Sequence, residues 1–112
     1  MGKTHKPVID AFLKRQKRKV NNTYTDGKTL FLFDNPIAWW EDDGALWIST
    51  CNWNTNTTRD RLNMLPNIWV RSFKGQLLLY IGNPSTQEVS DWIPWDGKAI
   101  NVSKLIFEKH NK

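Results

Sequence analysis

The chain has little of three things that many functions require: cysteine, histidine and long apolar runs. Its single cysteine, Cys51, excludes an intramolecular disulfide and a metal site built from several cysteines. Its two histidines, His5 and His110, lie near opposite ends of the sequence, where we expect the least order. No apolar run approaches the ~20 residues that cross a bilayer. The sequence therefore predicts no membrane-spanning segment and no membrane partner.

The first residues do not have the pattern of a secretory leader. The apolar stretch Val8–Leu13 is short, contains Asp10 and continues into more charge. The glycosylation sequons at Asn21, Asn56 and Asn101 consequently carry no weight. We expect a cytoplasmic protein whose cysteine stays reduced.

The positive charge is concentrated at one end of the sequence. The 112 residues are enough for one hydrophobic core, which predicts a single domain over residues 1–112 with a net charge of +5. Residues 1–20 hold seven Lys or Arg and one acid, a net +6, so the remaining residues have a net charge of −1. The basic character is therefore a local patch and not a property of the whole surface.

Residues 1–22 are predicted to form a basic amphipathic helix, regular over residues 7–20. Pro7 suits the first turn of a helix, where its missing N–H is not needed. At about 100° per residue, the apolar side chains fall on one arc and the cations on the opposite arc. The cations of this basic segment are Lys14, Arg15, Lys17, Arg18 and Lys19. One face is expected to dock on the domain and the other to face water.

Residues 23–112 are predicted to form a sheet with one short helix at residues 57–65, capped by Thr57 and ended by Pro66. Acidic-Gly and Lys-Gly turns predict two hairpins, and Thr29–Phe33 is apolar on both faces like a central strand. The predicted hairpin strands are residues 36–41 with 45–50 and residues 67–73 with 76–81. Further strands are predicted at residues 89–93 and 98–107. The fold class is a single α+β domain with a mostly antiparallel sheet of five to seven strands.

Tryptophan is abundant, with seven residues in this short chain. One core cannot easily bury so many indoles, so we expect two or three to be exposed, and exposed tryptophan marks recognition surfaces. Trp39 and Trp40 are adjacent on a predicted strand and must point to opposite faces. Trp69, Arg71 and Phe73 share one face at a spacing of two. That spacing is typical of a platform on which bases stack, and equally of a sheet face covered by a helix.

Residues for catalysis, metal binding or cofactor binding form no convincing group. Glu41-Asp42-Asp43 lies in a predicted turn, where acids are common, and lacks the ligand spacing of a calcium loop. Asp91 and Asp96 frame two tryptophans, a weak indication of a sugar site. No glycine-rich phosphate loop is present. The sequence predicts a protein that is not an enzyme, with no cofactor, no metal and no catalytic residues.

Several short motifs between Thr25 and Leu65 resemble one known family. They are Asp26-Gly27, Ile37-Ala38, Asp43-Gly44 and the segment Trp53-Asn54-Thr55-Asn56-Thr57-Thr58. Together with the basic start, they resemble a family of short proteins of tailed bacteriophages. Relatives carry Lys-His after the paired threonines, where this chain has Arg59-Asp60. The resemblance implies a phage origin and a small accessory protein made in the host cytoplasm, and it implies no reaction.

Two functions from different classes follow from these features. The first is a nucleic-acid-binding accessory protein, in which a basic helix face holds phosphates and exposed aromatics stack on bases. Its candidate residues are Lys14, Arg15, Lys17, Arg18, Lys19, Trp69, Arg71 and Phe73. The alternative is an effector that inhibits a host protein or defence system through an aromatic surface patch. A contiguous apolar patch or a long unpaired strand edge would favour the alternative.

Overall fold

The computed structural model describes residues 5–53, 55–82 and 92–105, which form two labelled helices, nine strands and a further helical stretch at residues 102–105 in an α+β arrangement. The helices are α1 (Lys6–Leu13) and α2 (Asn56–Leu62). The strands are β1 (Lys17–Val20), β2 (Thr23–Asp26), β3 (Thr29–Leu32), β4 (Asn35–Trp40), β5 (Leu46–Ile48), β6 (Ile68–Phe73), β7 (Gln76–Ile81), β8 (Ile93–Pro94) and β9 (Ile100–Asn101). The α+β class and the antiparallel pairing are confirmed. The strands form two sheets, however, where one sheet of five to seven was predicted.

The larger sheet has six strands in the order β1-β2-β3-β4-β5-β9, and the smaller has the order β6-β7-β8. Every neighbouring pair is antiparallel. One face of each sheet is buried in a common core that also contains Phe12 of α1 and Leu62 of α2. The opposite face of each sheet points away from this core, and we call it the outer face of that sheet.

The basic segment does not form the predicted helix, because α1 ends at Leu13. The Gln16 N–H donates to the Ala11 carbonyl (2.8 Å) and the Arg15 N–H donates to the Phe12 carbonyl (3.1 Å). With Arg15 at φ +61°, these two bonds are those of a Schellman cap. The prediction of a helix over residues 7–20, within residues 1–22, is therefore wrong beyond the second turn.

Residues 17–26 form a hairpin that the sequence analysis missed. Val20 pairs with Thr23, so Asn21-Asn22 is the turn of that hairpin and not the end of a helix. Thr23 and Thr25 are buried on the core side. The sequence does not predict this strand, because a half-buried strand is recognised by apolar residues at alternate positions and two of these positions are threonine.

The predicted hairpins are confirmed: β4 pairs with β5 around Asp42-Asp43-Gly44, and β6 pairs with β7 around Lys74-Gly75. The predicted central strand is β3, which lies between β2 and β4. The short helix is present but begins at Asn56 and ends at Leu62, earlier at both ends than the predicted residues 57–65, so Pro66 is not the residue that ends it. Its N-cap is Thr55, whose hydroxyl accepts from the Thr58 N–H (3.2 Å), and not Thr57.

The last part of the chain differs from its prediction. Among the described residues of the strand expected at 98–107, only Ile100–Asn101 form a strand and residues 102–105 are helical, whereas residues 106–107 lie outside the described part. Of the strand expected at residues 89–93, only Ile93 belongs to a described strand, and residues 89–91 lie outside the described part. Val102 is fully buried in the common core, which accounts for the chain turning inward there.

Candidate nucleic-acid interface

The outer face of the three-stranded sheet brings the predicted residues Trp69, Arg71 and Phe73 together. In the register of β6 with β7, Trp69 lies opposite Tyr80, and Arg71 and Phe73 follow at alternate positions. Residues 71–76 are all exposed, and Phe73 keeps 53% of its surface open to water. No helix covers this end of the sheet in the described residues. We call Trp69, Arg71, Phe73, Tyr80 and Trp92 the Arg71 face; of these, Arg71 and Phe73 are exposed, Trp69 and Trp92 are half-buried, and Tyr80 is buried.

Cations and aromatic rings alternate across the Arg71 face. The Arg71 guanidinium carbon lies 4.8 Å from the centre of the Trp92 ring and 5.9 Å from that of Phe73. The Lys74 Nζ lies 5.4 Å from the Phe73 ring, and the Trp92 ring contacts that of Tyr80 at 5.5 Å. These cation–π contacts hold a positive charge over flat apolar surface.

Trp69 has a structural role within this face. Its ring is half-buried, and its indole N–H donates to the Gly82 carbonyl (3.1 Å). Trp92, which the sequence analysis did not select, takes the position beside Arg71 instead. The alternating pattern of β6 and β7 could not indicate Trp92, because Trp92 lies in a later segment that meets Arg71 only in the folded protein.

The five cations of the basic segment do not share one face. Lys14 and Arg15 lie in the turn after α1, and the Arg15 guanidinium carbon is 4.3 Å from the centre of the Trp40 ring. On β1, Lys17 and Lys19 point to the outer face of the six-stranded sheet, and Arg18 points to the other side. The predicted basic helix face is thus replaced by a turn and an edge strand with exposed charges on both sides.

The outer face of the six-stranded sheet carries aromatic pairs that the sequence analysis did not select. Tyr24 stacks on Phe31 (4.7 Å between ring centres), and Trp39 stacks on Trp47 (6.5 Å). The Lys19 Nζ lies 5.9 Å from the Tyr24 ring. Trp40, by contrast, stacks on Phe12, which confirms that the adjacent Trp39 and Trp40 point to opposite faces.

Acidic groups accompany this second aromatic surface. The Tyr24 hydroxyl donates to Asp34 (3.1 Å), and partial burial and that carboxylate raise the pKa of Tyr24. The Trp39 indole N–H donates to Glu41 (2.9 Å). The Arg71 face has no acid at its register positions among the described residues.

Tryptophan exposure is lower than predicted. Of the seven, only Trp53 is largely exposed, at 58%, whereas two or three were expected. Trp95 is buried, and its indole N–H donates to the Lys98 carbonyl (3.0 Å). The other five are half-buried, and all of them except Trp69 contact a neighbouring ring or cation.

Titratable groups are dispersed over the described residues. No group of three or more His, Cys, Asp or Glu side chains that could hold a metal ion occurs there. Asp42 and Asp43 act within the β4–β5 turn, where Asp43 accepts from the Ala45 N–H (2.9 Å) and Asp42 lies 3.7 Å from Lys28. Asp91 lies outside the described residues, so the weak sugar-site pattern has no structural counterpart to assess.

The described residues contain no helix with the length and apolar character needed to cross a membrane.

The fold described above is that of a small α+β protein. The chain matches the family model described as Kyanoviridae Gp96 protein over residues 1–94. It therefore belongs to that family, a family of phage proteins, which confirms the resemblance drawn from the motifs between Thr25 and Leu65. No curated protein and no solved structure matches the chain significantly.

Proposed function

We propose that this phage protein is a non-enzymatic nucleic-acid-binding accessory protein that acts in the host cytoplasm, and that its Arg71 face binds a single strand. The observation that carries the proposal is the Arg71 guanidinium placed between the rings of Phe73 and Trp92 on an exposed sheet face. Sheets with exposed aromatics and adjacent cations are a common surface for unpaired bases.

The chemistry of the Arg71 face suits both parts of a nucleotide. Arg71 and Lys74 supply two cations for phosphates, and the open side of Phe73 offers a ring on which a base can stack. Single strands are favoured over duplexes because a stacked base must be unpaired and unstacked from its neighbours. Lys17 and Lys19 add positive charge at the edge of the other sheet, where they strengthen encounter with any polyanion.

A salt-dependent titration of labelled oligonucleotides tests this proposal. We expect Kd on the order of micromolar at low salt, tighter for single strands than for duplexes, and weakening linearly on a log–log plot against salt. Arg71→Ala and Phe73→Ala should each weaken single-strand binding several-fold. The double variant Lys17→Gln/Lys19→Gln should reduce the salt slope and affect single strands and duplexes alike.

Lys104→Ala is the matched control, because Lys104 is exposed and follows β9, the strand at the opposite edge of the six-stranded sheet from β1. The Kd of Lys104→Ala for the oligonucleotides should stay within about twofold of that of the wild type, since the substitution removes one exposed charge remote from β1. Absence of binding even at low salt would overturn the proposal.

The alternative, an effector that docks on a host protein, is favoured by the exposed aromatics Phe33 (62%) and Trp53 (58%). Strand addition is not the mode that the described edges suit. The backbone of Val70 on edge strand β6 is already bonded to the Asn63 side chain (3.0 and 2.6 Å), and edge strand β1 is lysine-rich. If oligonucleotides do not bind, capture of a host protein that is lost in Trp53→Ala would support the alternative.

A further inference from the structure

A cavity of about 410 Å³ lies between the β3–β4 turn and the segment that leads into α2. Its apolar base includes Leu32 and Ile37, which are buried. Trp53, Thr57 and Thr58, from the motif segment noted in the sequence, line it from the other side. At ~30 Å³ per water molecule, the volume corresponds to about fourteen waters, enough for one flat ring system.

Two exposed aromatic side chains flank this cavity. Phe33 is 62% exposed and Trp53 is 58% exposed, although both line an apolar space. Phe33 lies in the two-residue β3–β4 turn with φ +50°, and Asp34 beside it has φ +66°. A bulky side chain is rarely held in this left-handed region. The fold thus tolerates local strain and exposed apolar area at one place, a combination that clusters at binding sites.

The polar groups of the cavity are neutral, and several have no hydrogen-bond partner among the described residues. They are the Asn35 side-chain amide, the Thr57 hydroxyl and the Trp53 indole N–H. The hydroxyls of Thr55 and Thr58 are instead engaged with each other (3.1 Å). None of the described residues that line the cavity carries a charge. The site therefore offers aromatic faces with neutral donors and acceptors beside them.

We propose that this cavity binds one neutral nucleobase in contact with the rings of both Trp53 and Phe33, with Asn35 and Thr57 hydrogen-bonding to its edge. Aromatic faces with a neutral amide and hydroxyl match the apolar faces and polar edge of a base. The uncharged lining leaves the phosphate outside. The base belongs either to a free nucleoside or to a strand, and in the second case this proposal rests on the proposed function.

Nucleoside titration tests the cavity independently of phosphate binding. Adenosine, guanosine, cytidine and uridine are titrated into the ¹⁵N-labelled protein, and the Trp53 indole N–H resonance, assigned from Trp53→Phe, is followed. We expect saturable shifts of that resonance with Kd in the millimolar range and no dependence on salt. Nucleoside 5′-monophosphates should bind no more tightly than the nucleosides, because no Lys or Arg is among the described residues that line the cavity.

Variants separate the cavity from the Arg71 face. Because Trp53→Ala removes the indole reporter, binding to the variants is followed through the backbone amide resonances of Phe33 and Thr57, which also line the cavity. Trp53→Ala should weaken nucleoside binding about tenfold or more, and Asn35→Ala several-fold. Phe73→Ala removes an exposed ring outside the cavity and should leave nucleoside binding within about twofold. Since Trp53 is largely exposed, its variant should keep the wild-type melting curve, so a loss of binding cannot be ascribed to unfolding.

The outcomes distinguish the two proposals. Nucleoside binding without oligonucleotide binding would support the cavity and overturn the Arg71 face as a strand-binding surface. The opposite result is salt-dependent oligonucleotide binding that Trp53→Ala leaves unchanged, with no nucleoside-induced shift in the wild type. It would overturn the proposal that the cavity binds a base and would leave the proposed function standing. Tighter binding of N-acetyl-tryptophanamide or of methyl glucoside than of any nucleoside would also overturn it, in favour of a protein side chain or a sugar.

Discussion

Arg61 is the most deeply buried charged side chain of the described residues, with only 6% of its surface exposed. Its Nε donates to the Thr23 hydroxyl (2.9 Å), and its Nη1 lies 2.5 Å from Asp60. Its Nη2 lies 3.3 Å from the His5 Nε2. The contacts join α2 to the start of the chain and to β2, so this cation is structural and is not available to a ligand.

Arg61→Ala should lower the free energy of unfolding by about 2 kcal/mol, because it leaves the buried Thr23 hydroxyl without its donor and Asp60 without its cation. Urea denaturation measures the change. Arg18→Ala is the control, since Arg18 is exposed on β1 and its removal should change stability by less than about 0.5 kcal/mol. Equal effects of the two substitutions would contradict the structural role of Arg61.

His5 should make stability depend on pH. Burial, and secondarily the Arg61 charge, lower the pKa of His5, while Asp60 opposes the shift. The folded protein thus holds the proton less tightly than the unfolded chain, and the stabilisation is lost as pH falls through the ordinary value of about 6.5. The melting temperature should fall more between about pH 7.5 and pH 5.5 in the wild type than in His5→Gln. Parallel curves for the two proteins would be the contrary result.

Gly97 is held in a place where no other residue fits. Its φ is +83°, and a Cβ there would lie 2.3 Å from the Thr50 Oγ1. Gly97→Ala should therefore cost about 3 kcal/mol, from left-handed strain and overpacking together. Gly44→Ala should cost about 1 kcal/mol, because Gly44 has a similar φ of +86° with open space around it. Thr50→Ala should restore part of the lost free energy of unfolding when it is combined with Gly97→Ala, and none when it is combined with Gly44→Ala. A double-mutant cycle measures this difference.

At the scale of the element, the β3–β4 turn combines strain with the proposed base site. Type I′ turns of two residues favour asparagine and glycine, and this one has Phe33 at φ +50°. Phe33→Asn should raise the free energy of unfolding by about 0.5–1 kcal/mol and weaken nucleoside binding several-fold. Thermal melting and the nucleoside titration measure the two effects. A variant that loses stability, or binds nucleosides as well as the wild type, would contradict this assignment.

The β2–β3 turn shows how one carboxylate shapes an element. The Asp26 Oδ1 accepts from the Lys28 N–H (2.9 Å) and the Thr29 N–H (2.8 Å), and these bonds lower the pKa of Asp26. The turn then places Gly27 against the Arg15 carbonyl, where an added Cβ would lie 2.9 Å away. The two turns, one after α1 and one after β2, thus fit together only with glycine at this position.

At the scale of the whole molecule, both sheets share one core. Leu30 and Ile48 of the larger sheet, Ile68 and Leu79 of the smaller, and Phe12 of α1 belong to the same buried cluster. The Thr50 N–H also donates to the Gly97 carbonyl (2.8 Å), which ties the end of the β5 segment to the segment after β8. Neither sheet has a separate core on which it could fold by itself.

Unfolding should therefore be a single cooperative transition. We expect far-ultraviolet circular dichroism and tryptophan fluorescence to follow the same urea curve, since Trp39 and Trp47 report on the larger sheet and Trp69 on the smaller. Two separated transitions would show that the sheets are independent units.

Local sequence spacing predicted one part of the candidate sites, and contacts between distant segments determined the other part. The spacing of two alone placed Trp69, Arg71 and Phe73 on one face, because a strand repeats every two residues whatever surrounds it. Trp92 and the cavity could not be anticipated. Each joins segments distant in sequence, and no local period records which distant segment will lie alongside.

The sequence by itself determined the α+β class, both glycine-containing hairpins, the central β3 strand, the short α2 helix and the opposite directions of Trp39 and Trp40. These depend on local turn chemistry and on the period of two. Only the tertiary structure decided where α1 ends and what the basic segment becomes. Residues 14–19 satisfy a helical period well, but pairing of Lys17–Val20 with Thr23–Asp26 and the cap at Arg15 stabilise a turn and a strand instead. Pairing with a neighbouring strand outweighs a local helical preference of a few tenths of a kcal/mol per residue, about the size of the differences in helix propensity.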